Sequence, residues 1–220
     1  MNTCFPRAYA GLRIAQFETT FYKQKPAKRM SPVSQSFYQS KPMGLPDALI
    51  LRPPVYEDGR GYFSPSFNRD GLKALGVEAD FLQDNQSLSR DVGTIRGLHA
   101  QHAPYEQAKL VRVLAGRIFD VLVDARPRSS HFGKWEGYEL SADSHEQVYI
   151  PRGFLHGFMT LEPNTVISYK VDNTYAPDRE VSVMWNDSDL EIDWPLLSQA
   201  PVLSGRDRTA VSWTNFKAQI

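Results

Sequence analysis

Five side chains at strand-like positions of this chain form a set suited to acid–base chemistry at a carbon next to a carbonyl group. They are His99, Lys109, His156, Tyr169 and Tyr175. A neutral histidine can take the acidic proton from such a carbon, because its ordinary pKa lies near neutrality. A lysine ammonium can stabilise the enolate oxygen, and a tyrosine on the opposite face can return a proton. Any one of these residues alone is better explained by a structural role, so the prediction depends on their meeting in one cavity.

The segment from Pro151 to His156 has the P-x-G-x-x-H spacing that is typical of metal-binding cupins. A cupin metal site also needs two histidines two residues apart, because only alternate residues of a strand share a face. Here His99 and His102 are three apart, and Lys109 stands near the position of a carboxylate ligand. A protonated amine cannot bind a metal. We therefore predict a site with no metal, and a metal-dependent cupin enzyme remains the alternative that metal analysis would test.

The elements that must position these side chains have the pattern of short strands. From residue 47 onward, short apolar runs alternate with Gly, Pro, Asp and Asn, which is typical of a β-sandwich or barrel. Only Asp70–Leu75 and a short stretch after Pro195 have a helical pattern. We therefore predict an all-β chain, a cupin-type antiparallel jelly roll with a few short helices. The predicted strands are Ala48–Leu51, Gly93–His99, Lys109–Ala115, Arg117–Asp124, Glu146–Ile150, Gly157–Leu161, Thr165–Lys170 and Val181–Trp185.

The alternation of side chains along a strand predicts which residues of the first histidine segment share a face. It places His99 and Gln101 on the same face as Ile95, and Arg96 and Leu98 on the opposite face. The next polar segment begins at Lys109, and the same alternation predicts which of its residues share a face with this lysine.

The strand Lys109–Ala115 is predicted to place Lys109 on the same face as Val111 and Val113. We expect this strand to pair with the strand that follows it as a β-hairpin across Gly116. Glycine tolerates the positive φ of a tight turn, so this position favours a short connection.

Composition and charge restrict the classes of protein to which the chain can belong. Its 25 basic and 25 acidic residues cancel, so net charge gives no argument for a nucleic-acid partner. No run of about 18 apolar residues occurs, so no membrane-spanning helix is predicted. Cys4 is the only cysteine, which excludes an intrachain disulfide and a cysteine-based zinc site. With no secretory signal pattern, we expect a cytoplasmic location.

The first 43 residues differ from the rest of the chain. They carry seven basic residues against the single acid Glu18, and they have neither a strand nor a helix pattern. Such segments are common at chain termini, so residues 1–43 are predicted to be a poorly ordered basic extension. A targeting segment is the alternative. The jelly-roll domain is predicted to span residues 44–220.

Seven longer stretches of the chain carry a recognisable pattern. They are FLQDNQSLS (81–89), IRGLHAQ (95–101), QAKLVRVLAGRIFDVLVDAR (107–126), FGKWEGYELSA (132–142), IPRGFLHGF (150–158), YKVDNTYAP (169–177) and WNDSDLEIDWP (185–195). In sequence and in order they resemble one known family, the dTDP-4-dehydrorhamnose 3,5-epimerases. The resemblance extends over about residues 46–210 with hardly a gap, and agreement in several long blocks is far more specific than a short motif. It implies a cofactor-free isomerase that epimerises a nucleotide-linked 4-keto-6-deoxyhexose at C3, C5 or both.

The catalytic roles that the resemblance implies carry over position by position. The histidine of R-G-L-H, His99, matches the family's base, and Asp207 of L-S-x-x-D matches the aspartate that polarises it. Lys109 of Q-x-K-L-V-R and His156 of G-F-x-H-G-F are implied to lie beside the sugar ring and its C4 oxygen. Tyr169 of Y-K is the implied proton donor. The resemblance thus implies that this set is catalytic.

The resemblance also implies a binding site for the nucleotide. Tyr175 matches the tyrosine that stacks on the nucleobase. Arginine suits a diphosphate because its fork of N–H donors matches phosphate oxygens. The other residues implied to contact the nucleotide and its diphosphate are Arg60, Gln83, Asn85, Arg96, Glu180 and Arg206.

Two positions depart from the family pattern. Pro65 stands where a glutamate that helps to read thymine is common, and proline has no side-chain donor or acceptor. Epimerases of GDP-, CDP- or UDP-linked keto-sugars therefore remain alternatives, as does a sugar-nucleotide-binding protein without turnover. Ala108 stands where glycine is usual, and its methyl group could narrow the sugar pocket.

The resemblance further implies a homodimer. Family members usually pair by exchanging N-terminal strands, and Leu49–Val55 is the matching edge here. Arg60 would then reach the nucleotide site of the partner. Pro53 and Pro54 restrict how far this edge can pair, because proline lacks the N–H that a sheet needs.

Overall fold

Strands dominate the computed structural model of this chain, which describes residues 37–195 and 199–220. Each of the eight predicted strands overlaps an observed one. Three short helices accompany them, α1 (Arg69–Lys73), α2 (Gly205–Arg208) and α3 (Trp213–Lys217), with a 3₁₀ turn at Pro177–Arg179. The strands are β1 (Gln39–Pro42), β2 (Leu49–Arg52), β3 (Tyr56–Asp58), β4 (Gly61–Phe63), β5 (Gln83–Ser89), β6 (Ile95–Gln101), β7 (Lys109–Ala115), β8 (Arg117–Asp124), β9 (Trp135–Ser141), β10 (Gln147–Ile150), β11 (Phe154–Thr160), β12 (Thr165–Val171) and β13 (Glu180–Ser182).

Two antiparallel sheets form the body of the fold. One has six strands in the order β1-β2-β10-β7-β12-β5, and the other has five in the order β13-β6-β11-β8-β9. Strands β3 and β4 form a separate hairpin. Neighbouring strands are often far apart along the chain, as in a jelly roll. The predicted all-β, cupin-type jelly roll is confirmed.

The inner core lies between the two sheets. Its apolar side chains explain why apolar and polar residues alternate along these strands. The six-stranded sheet contributes Val111, Ile150 and Ile167, and the five-stranded sheet contributes Leu122 and Phe158. Burial of a side chain of this size contributes about 1.5–3 kcal/mol to folding. The predicted common face of Lys109, Val111 and Val113 fits this core, because both valines belong to it.

The outer face of each sheet is covered by chain segments that pack their own apolar residues against it. Trp194, Trp213 and Phe216 from the C-terminal region cover the five-stranded sheet. Helix α1 covers the six-stranded sheet through Leu72. The C-terminal segment is therefore anchored to the same sheet that carries β6.

The predicted hairpin across Gly116 is wrong, although that glycine does have a positive φ of +78°. Strand β7 pairs with β10 and β12, whereas β8 pairs with β11 and β9. Both strands direct apolar side chains into the inner core, so the chain must cross from one sheet to the facing one. A Cβ at Gly116 would lie 2.4 Å from Thr165 Oγ1, so the crossing needs glycine.

Residues 37–43 belong to the domain, not to the extension predicted over residues 1–43. Strand β1 pairs with β2, and Tyr38 is buried, with its hydroxyl accepting a hydrogen bond from the Asn68 N–H at 2.8 Å. Met43 belongs to the inner core. The predicted boundary at residue 44 is therefore too late, because the polar edge strand QSKP has no apolar alternation.

Two other predictions concern residues that the structure does not describe. Most of the extension, residues 1–36, lies outside the described ranges, and so do residues 196–198, where a helix was predicted after Pro195. Within the described ranges, no helix is both long enough and apolar enough to cross a membrane.

Candidate active site

A cavity of about 330 Å³ is bounded by residues from both sheets. Seven of the residues singled out from the sequence line it. Four more of these residues contact the lining or lie next to it. His156 pairs with His99, Asp207 hydrogen-bonds His99, and Arg206 forms an ion pair with Glu180. Arg96 extends from β6 to Ser89 of β5. The lining consists of Gln83, Asn85, His99, Ala100, Gln101, Gln107, Lys109, Gly153, Phe154, Tyr169, Tyr175 and Glu180.

His99 is held by a buried carboxylate that is 108 residues away in the sequence. Its Nε2 lies 2.7 Å from Asp207 Oδ1, and Asp207 is 4% exposed. Ser204 caps helix α2 and donates its hydroxyl to Asp207 Oδ2 at 2.6 Å. Burial raises the pKa of the Asp207 carboxyl, but the hydrogen bonds from His99 and Ser204 outweigh it and bring that pKa below its ordinary value. The aspartate therefore stays ionised beside the imidazole.

A bulge in β6 decides which side chains accompany His99. His156 pairs with His99 and Phe158 pairs with Arg96, so three residues of β6 span two of β11. The alternation is reversed at this point, and Ile95 and Leu98 both pack on the outer face of the sheet. The predicted division of faces is wrong here: Arg96 shares the inner face with His99, and Ile95 does not.

His156 lies beside His99 in the five-stranded sheet and has its own buried carboxylate. Its Nε2 is 2.7 Å from Asp120 Oδ1, and Asp120 is fully buried. Burial lowers the pKa of His156, against the opposing effect of the Asp120 charge. The sequence analysis missed Asp120, although a charged residue in the otherwise apolar run I-F-D-V-L-V was a signal.

Lys109 and Tyr169 lie on the facing, six-stranded sheet. They are on the neighbouring strands β7 and β12, where Lys109 is opposite Val171 and Tyr169 is opposite Val111. Burial lowers the pKa of the Lys109 ammonium to about 8, although the charges of Asp120 and Glu180 act in the other direction. Burial also raises the pKa of the Tyr169 hydroxyl, so this tyrosine is protonated at neutral pH.

The mouth of the cavity carries a chain of polar contacts. Tyr175 donates its hydroxyl to Glu180 Oε2 at 2.5 Å, and Arg206 lies 2.6 Å from the same oxygen. Burial raises the pKa of Glu180, but Arg206 and Tyr175 outweigh it and lower that pKa overall. The Tyr175 ring itself is 56% exposed, so its face is open to a flat ligand. Arg206 is next to Asp207 on α2, so this helix contacts both Glu180 at the mouth and His99 inside the cavity.

Polar groups of β5 complete the wall of the cavity. Gln83 donates to Asn85 Oδ1 at 2.8 Å. Arg96 extends from β6 to the same strand, where its Nε donates to Ser89 Oγ at 3.2 Å. Its charge also acts on Tyr169. These donors therefore flank the proposed proton donor.

Arg60 is the one predicted site residue that a single chain does not bring to the cavity. It lies at the turn of the β3–β4 hairpin, its side chain is 91% exposed, and it is paired with Asp58 at 2.6 Å. Ala108 does not line the cavity either: it is 1% exposed, and its N–H donates to Asp172 Oδ1 at 2.7 Å. The expected narrowing of the pocket by its methyl group is therefore not found.

The geometry places two carboxylate-supported histidines on one wall and a lysine and a tyrosine on the other. A substrate carbon between the walls would have a base on one side and a proton donor on the other. Among the described residues, no three His, Cys, Asp or Glu side chains are grouped in a way that could hold a metal ion. The arrangement suits proton removal and return at a carbon next to a carbonyl.

Comparison with known proteins assigns this architecture to a family. The family model described as dTDP-4-dehydrorhamnose 3,5-epimerase matches residues 42–215. The dTDP-4-dehydrorhamnose 3,5-epimerase of Salmonella typhimurium is 46% identical over 167 residues, which cover 76% of this chain and 90% of that protein.

Solved structures agree with this assignment. The dTDP-4-dehydrorhamnose 3,5-epimerase of Bacillus anthracis, with TDP and pyrophosphate bound, is 46% identical with a TM-score of 0.77, covering 80% of this chain and 99% of that one. The dTDP-6-deoxy-D-glucose-3,5-epimerase of Legionella pneumophila, in complex with dTDP-4-keto-L-rhamnose, is 39% identical with a TM-score of 0.79, covering 83% and 96%. This chain belongs to the dTDP-4-dehydrorhamnose 3,5-epimerase family.

Proposed function

We propose that this enzyme epimerises a nucleotide-linked 4-keto-6-deoxyhexose, converting dTDP-4-dehydro-6-deoxyglucose to dTDP-4-dehydrorhamnose by inversion at C3 and C5. The observation that carries the proposal is the placement of His99 and Tyr169 on opposite walls of one cavity. Inversion requires a base on one face of the ring and an acid on the other. This reaction is a step in the formation of dTDP-rhamnose.

Each epimerisation begins with transfer of a ring proton to His99. Its Nε2 is held by Asp207, so Nδ1 is the nitrogen that takes the proton, and the Asp207 carboxylate stabilises the imidazolium that forms. The electron pair of the broken C–H bond moves into the ring and places negative charge on the C4 oxygen. Lys109 and His156 stabilise that oxygen.

Tyr169 completes each inversion by giving its hydroxyl proton to the same carbon from the opposite face. Its protonated state at neutral pH, which follows from its burial, supports this role. We expect Tyr169→Phe to separate the two half-reactions: proton exchange with solvent on the His99 side should continue, whereas the inverted product should fall by about 100-fold or more. NMR of the sugar in deuterated buffer would measure both. Equal loss of exchange and inversion would contradict this assignment.

The nucleotide part of the substrate is proposed to lie at the mouth of the cavity. Tyr175 would stack on the base, and the diphosphate would be bound by arginines. The open face of Tyr175 and the position of Arg206 beside the catalytic aspartate support this placement. The remaining proposed contacts come from Arg96, Gln83, Asn85 and Glu180.

We further propose that the enzyme acts as a homodimer in the cytoplasm. The exposed rings of Tyr56, Tyr62 and Phe63 on the β3–β4 hairpin form an apolar surface next to Arg60. A second copy of the chain would cover these rings, and Arg60 would then enter the nucleotide site of the partner. A guanidinium at a subunit boundary suits a diphosphate that both subunits enclose.

Solvent-deuterium incorporation into dTDP-4-keto-6-deoxyglucose, followed by NMR, tests the proposed activity. Exchange at C3 and C5 with inversion would support it, and exchange at one carbon only would make the enzyme a single-site epimerase. GDP-, CDP- and UDP-linked analogues measured in parallel test the base, because Pro65 cannot hydrogen-bond thymine through its side chain. Nucleotide-sugar binding without any exchange would overturn the enzymatic proposal in favour of a binding protein.

A further inference from the structure

Two loops at the mouth of the cavity are held together by the side chain of one glutamine of β6. The loops are residues 102–107, which follow β6, and residues 172–176, which follow β12. The first contributes Gln107 to the cavity lining and the second contributes Tyr175. The Tyr175 ring is held at its hydroxyl by Glu180, and the position of the backbone that carries the ring depends on what fixes the second loop.

Gln101 contacts both loops through its amide group. Its Nε2 donates to the carbonyl oxygens of Tyr105 at 2.6 Å and Thr174 at 3.2 Å, and its Oε1 accepts from the Ala176 N–H at 2.7 Å. The two backbone groups of the second loop are thus on either side of Tyr175. Gln101 is 7% exposed, so little water is available to replace these hydrogen bonds.

The geometry at Gln101 requires an amide. Two carbonyl oxygens and one N–H surround it, and a side-chain amide supplies two donors and an acceptor that match them. A carboxylate at this position would face two carbonyl oxygens without a proton to offer. An apolar side chain of the same length would leave three backbone groups without this partner, and each such buried group costs free energy.

A second set of contacts holds the same loops from the other side. Asn173 donates its Nδ2 to the carbonyl oxygens of Pro104 at 3.0 Å and Glu106 at 3.2 Å, and Gln107 donates to the Asn173 carbonyl oxygen at 2.8 Å. Asn173 Oδ1 also accepts from the Thr174 N–H at 2.9 Å, so this set reaches the backbone on one side of Tyr175. Of these side chains, Gln101 is the one that contacts the backbone on both sides of Tyr175.

We propose that Gln101 is a positioning residue for nucleotide recognition, which holds Tyr175 in the orientation that receives the base. The inference rests on the proposed stacking role of Tyr175. A ring held in its binding orientation before the ligand arrives does not have to be ordered during binding, and this raises affinity without changing the chemical step. Gln101 thus determines how tightly the nucleotide binds, whereas His99, two residues earlier on β6, determines how fast the proton moves.

The test compares Gln101→Met with Tyr175→Ala and with the double variant, using dTDP as the ligand. Gln101→Met keeps the length of the side chain and removes its hydrogen bonds. We expect a rise of about tenfold in the Kd for dTDP and in KM, the equivalent of about one to two lost hydrogen bonds, with kcat at saturating substrate within about twofold. Tyr175→Ala should raise the Kd as well. Because Gln101 acts through Tyr175, the double variant should bind dTDP no more weakly than Tyr175→Ala alone.

The outcomes separate this inference from the proposed role of Tyr175. An unchanged Kd in Tyr175→Ala would overturn the stacking role, and the inference with it. A raised Kd in Tyr175→Ala together with an unchanged Kd in folded Gln101→Met would overturn the inference alone, as would fully additive effects in the double variant or a fall in kcat without a change in Kd. If Gln101→Met does not fold, Gln101→Leu removes the same three hydrogen bonds with another apolar side chain and should show the same pattern of KM and kcat, and an unchanged KM there would overturn the proposal.

Discussion

At the scale of single residues, the proposed mechanism assigns opposite tasks to groups on opposite walls of the cavity. His99 is fixed by Asp207, whose pKa is lowered by the hydrogen bonds it receives. Tyr169 faces it from the other sheet and keeps its proton because burial raises its pKa. A base that is ready to accept and an acid that is ready to donate can therefore coexist at one pH.

Replacement of His99 by asparagine removes the group that takes the proton while keeping a polar side chain of similar size. We expect His99→Asn to slow solvent-deuterium exchange into the sugar by about 100- to 10,000-fold. Asp207→Asn should act in the same direction with a smaller effect, because it removes the charge that stabilises the imidazolium. Exchange followed by NMR measures both variants. Retention of more than a few per cent of the wild-type exchange rate by His99→Asn would contradict its role as the base.

The ammonium of Lys109 predicts how activity depends on pH. Burial lowers its pKa to about 8, so the group is charged below that pH and neutral above it. Only the charged form stabilises the enolate oxygen, so kcat/KM should fall about tenfold for each pH unit above about 8. Lys109→Arg keeps a charge at all accessible pH values, and it should lose this alkaline limb although its rate is lower. A profile from pH 6 to pH 10 checks this, and the same alkaline limb in both proteins would assign it to another group.

At the scale of elements, the bulge in β6 sets the direction of the side chain of His99, the proposed base. It requires glycine at position 97, where φ is +131° and an added Cβ would lie 2.4 Å from the Cα of Gly157. The two strands approach so closely here that a methyl group on Gly97 would overlap the backbone of β11. His99 follows the bulge directly, so any shift of the strand moves the base.

Gly97→Ala is therefore expected to be strongly destabilising. We predict a loss of about 3 kcal/mol or more in the free energy of unfolding, because an unfavourable φ and a backbone clash add together. Gly205→Ala is the matched control, since a Cβ there would meet nothing within 4 Å, and it should change stability by no more than about 0.5 kcal/mol. Urea unfolding measures both. Similar stability of the two variants would show that β6 can rearrange around the methyl group.

Strand prediction succeeded where apolar residues recur along one face of a strand and failed where they do not. Strands β7 and β8 were predicted with their observed bounds, because apolar residues recur along their inward faces. Strand β5 (QDNQSLS) has no such pattern. Strand β5 is at the edge of its sheet, and its polar residues serve the cavity. The polar residues by which β5 lines the cavity are therefore also the reason that a search for apolar runs does not find this strand.

At the scale of the whole molecule, one chain leaves Arg60 outside the cavity and exposes the aromatic rings of its hairpin. Both features are explained if two copies assemble with two-fold symmetry. In such a dimer each site takes one residue from the partner, so each copy depends on the other. The predicted dimer thus has a consequence for catalysis that mixed subunits can reveal.

Mixing of two inactive variants tests whether Arg60 acts on the partner's site. We expect Arg60→Ala and His99→Asn each to have low activity as separate proteins. Co-expressed, they should regain about a quarter of the wild-type rate, because random pairing gives half mixed dimers with one intact site each. The rate of deuterium exchange and the mass of the assembly measure this outcome. No recovery in a mixture that does form mixed dimers would mean that Arg60 acts within its own chain or not at all.

The fold class and the family could be predicted from residue types and from the order of motifs such as I-R-G-L-H and P-R-G-F-L-H. The family resemblance also implied the contact of Asp207 with His99, which is present across 108 residues. The folded chain added what those motifs do not contain: it revealed Asp120 behind His156, separated β7 from β8, and reversed the faces of β6. The physical reason is that strand partners are selected by packing between distant segments, and an extra residue in one strand changes every face beyond it. Local alternation contains no information about either.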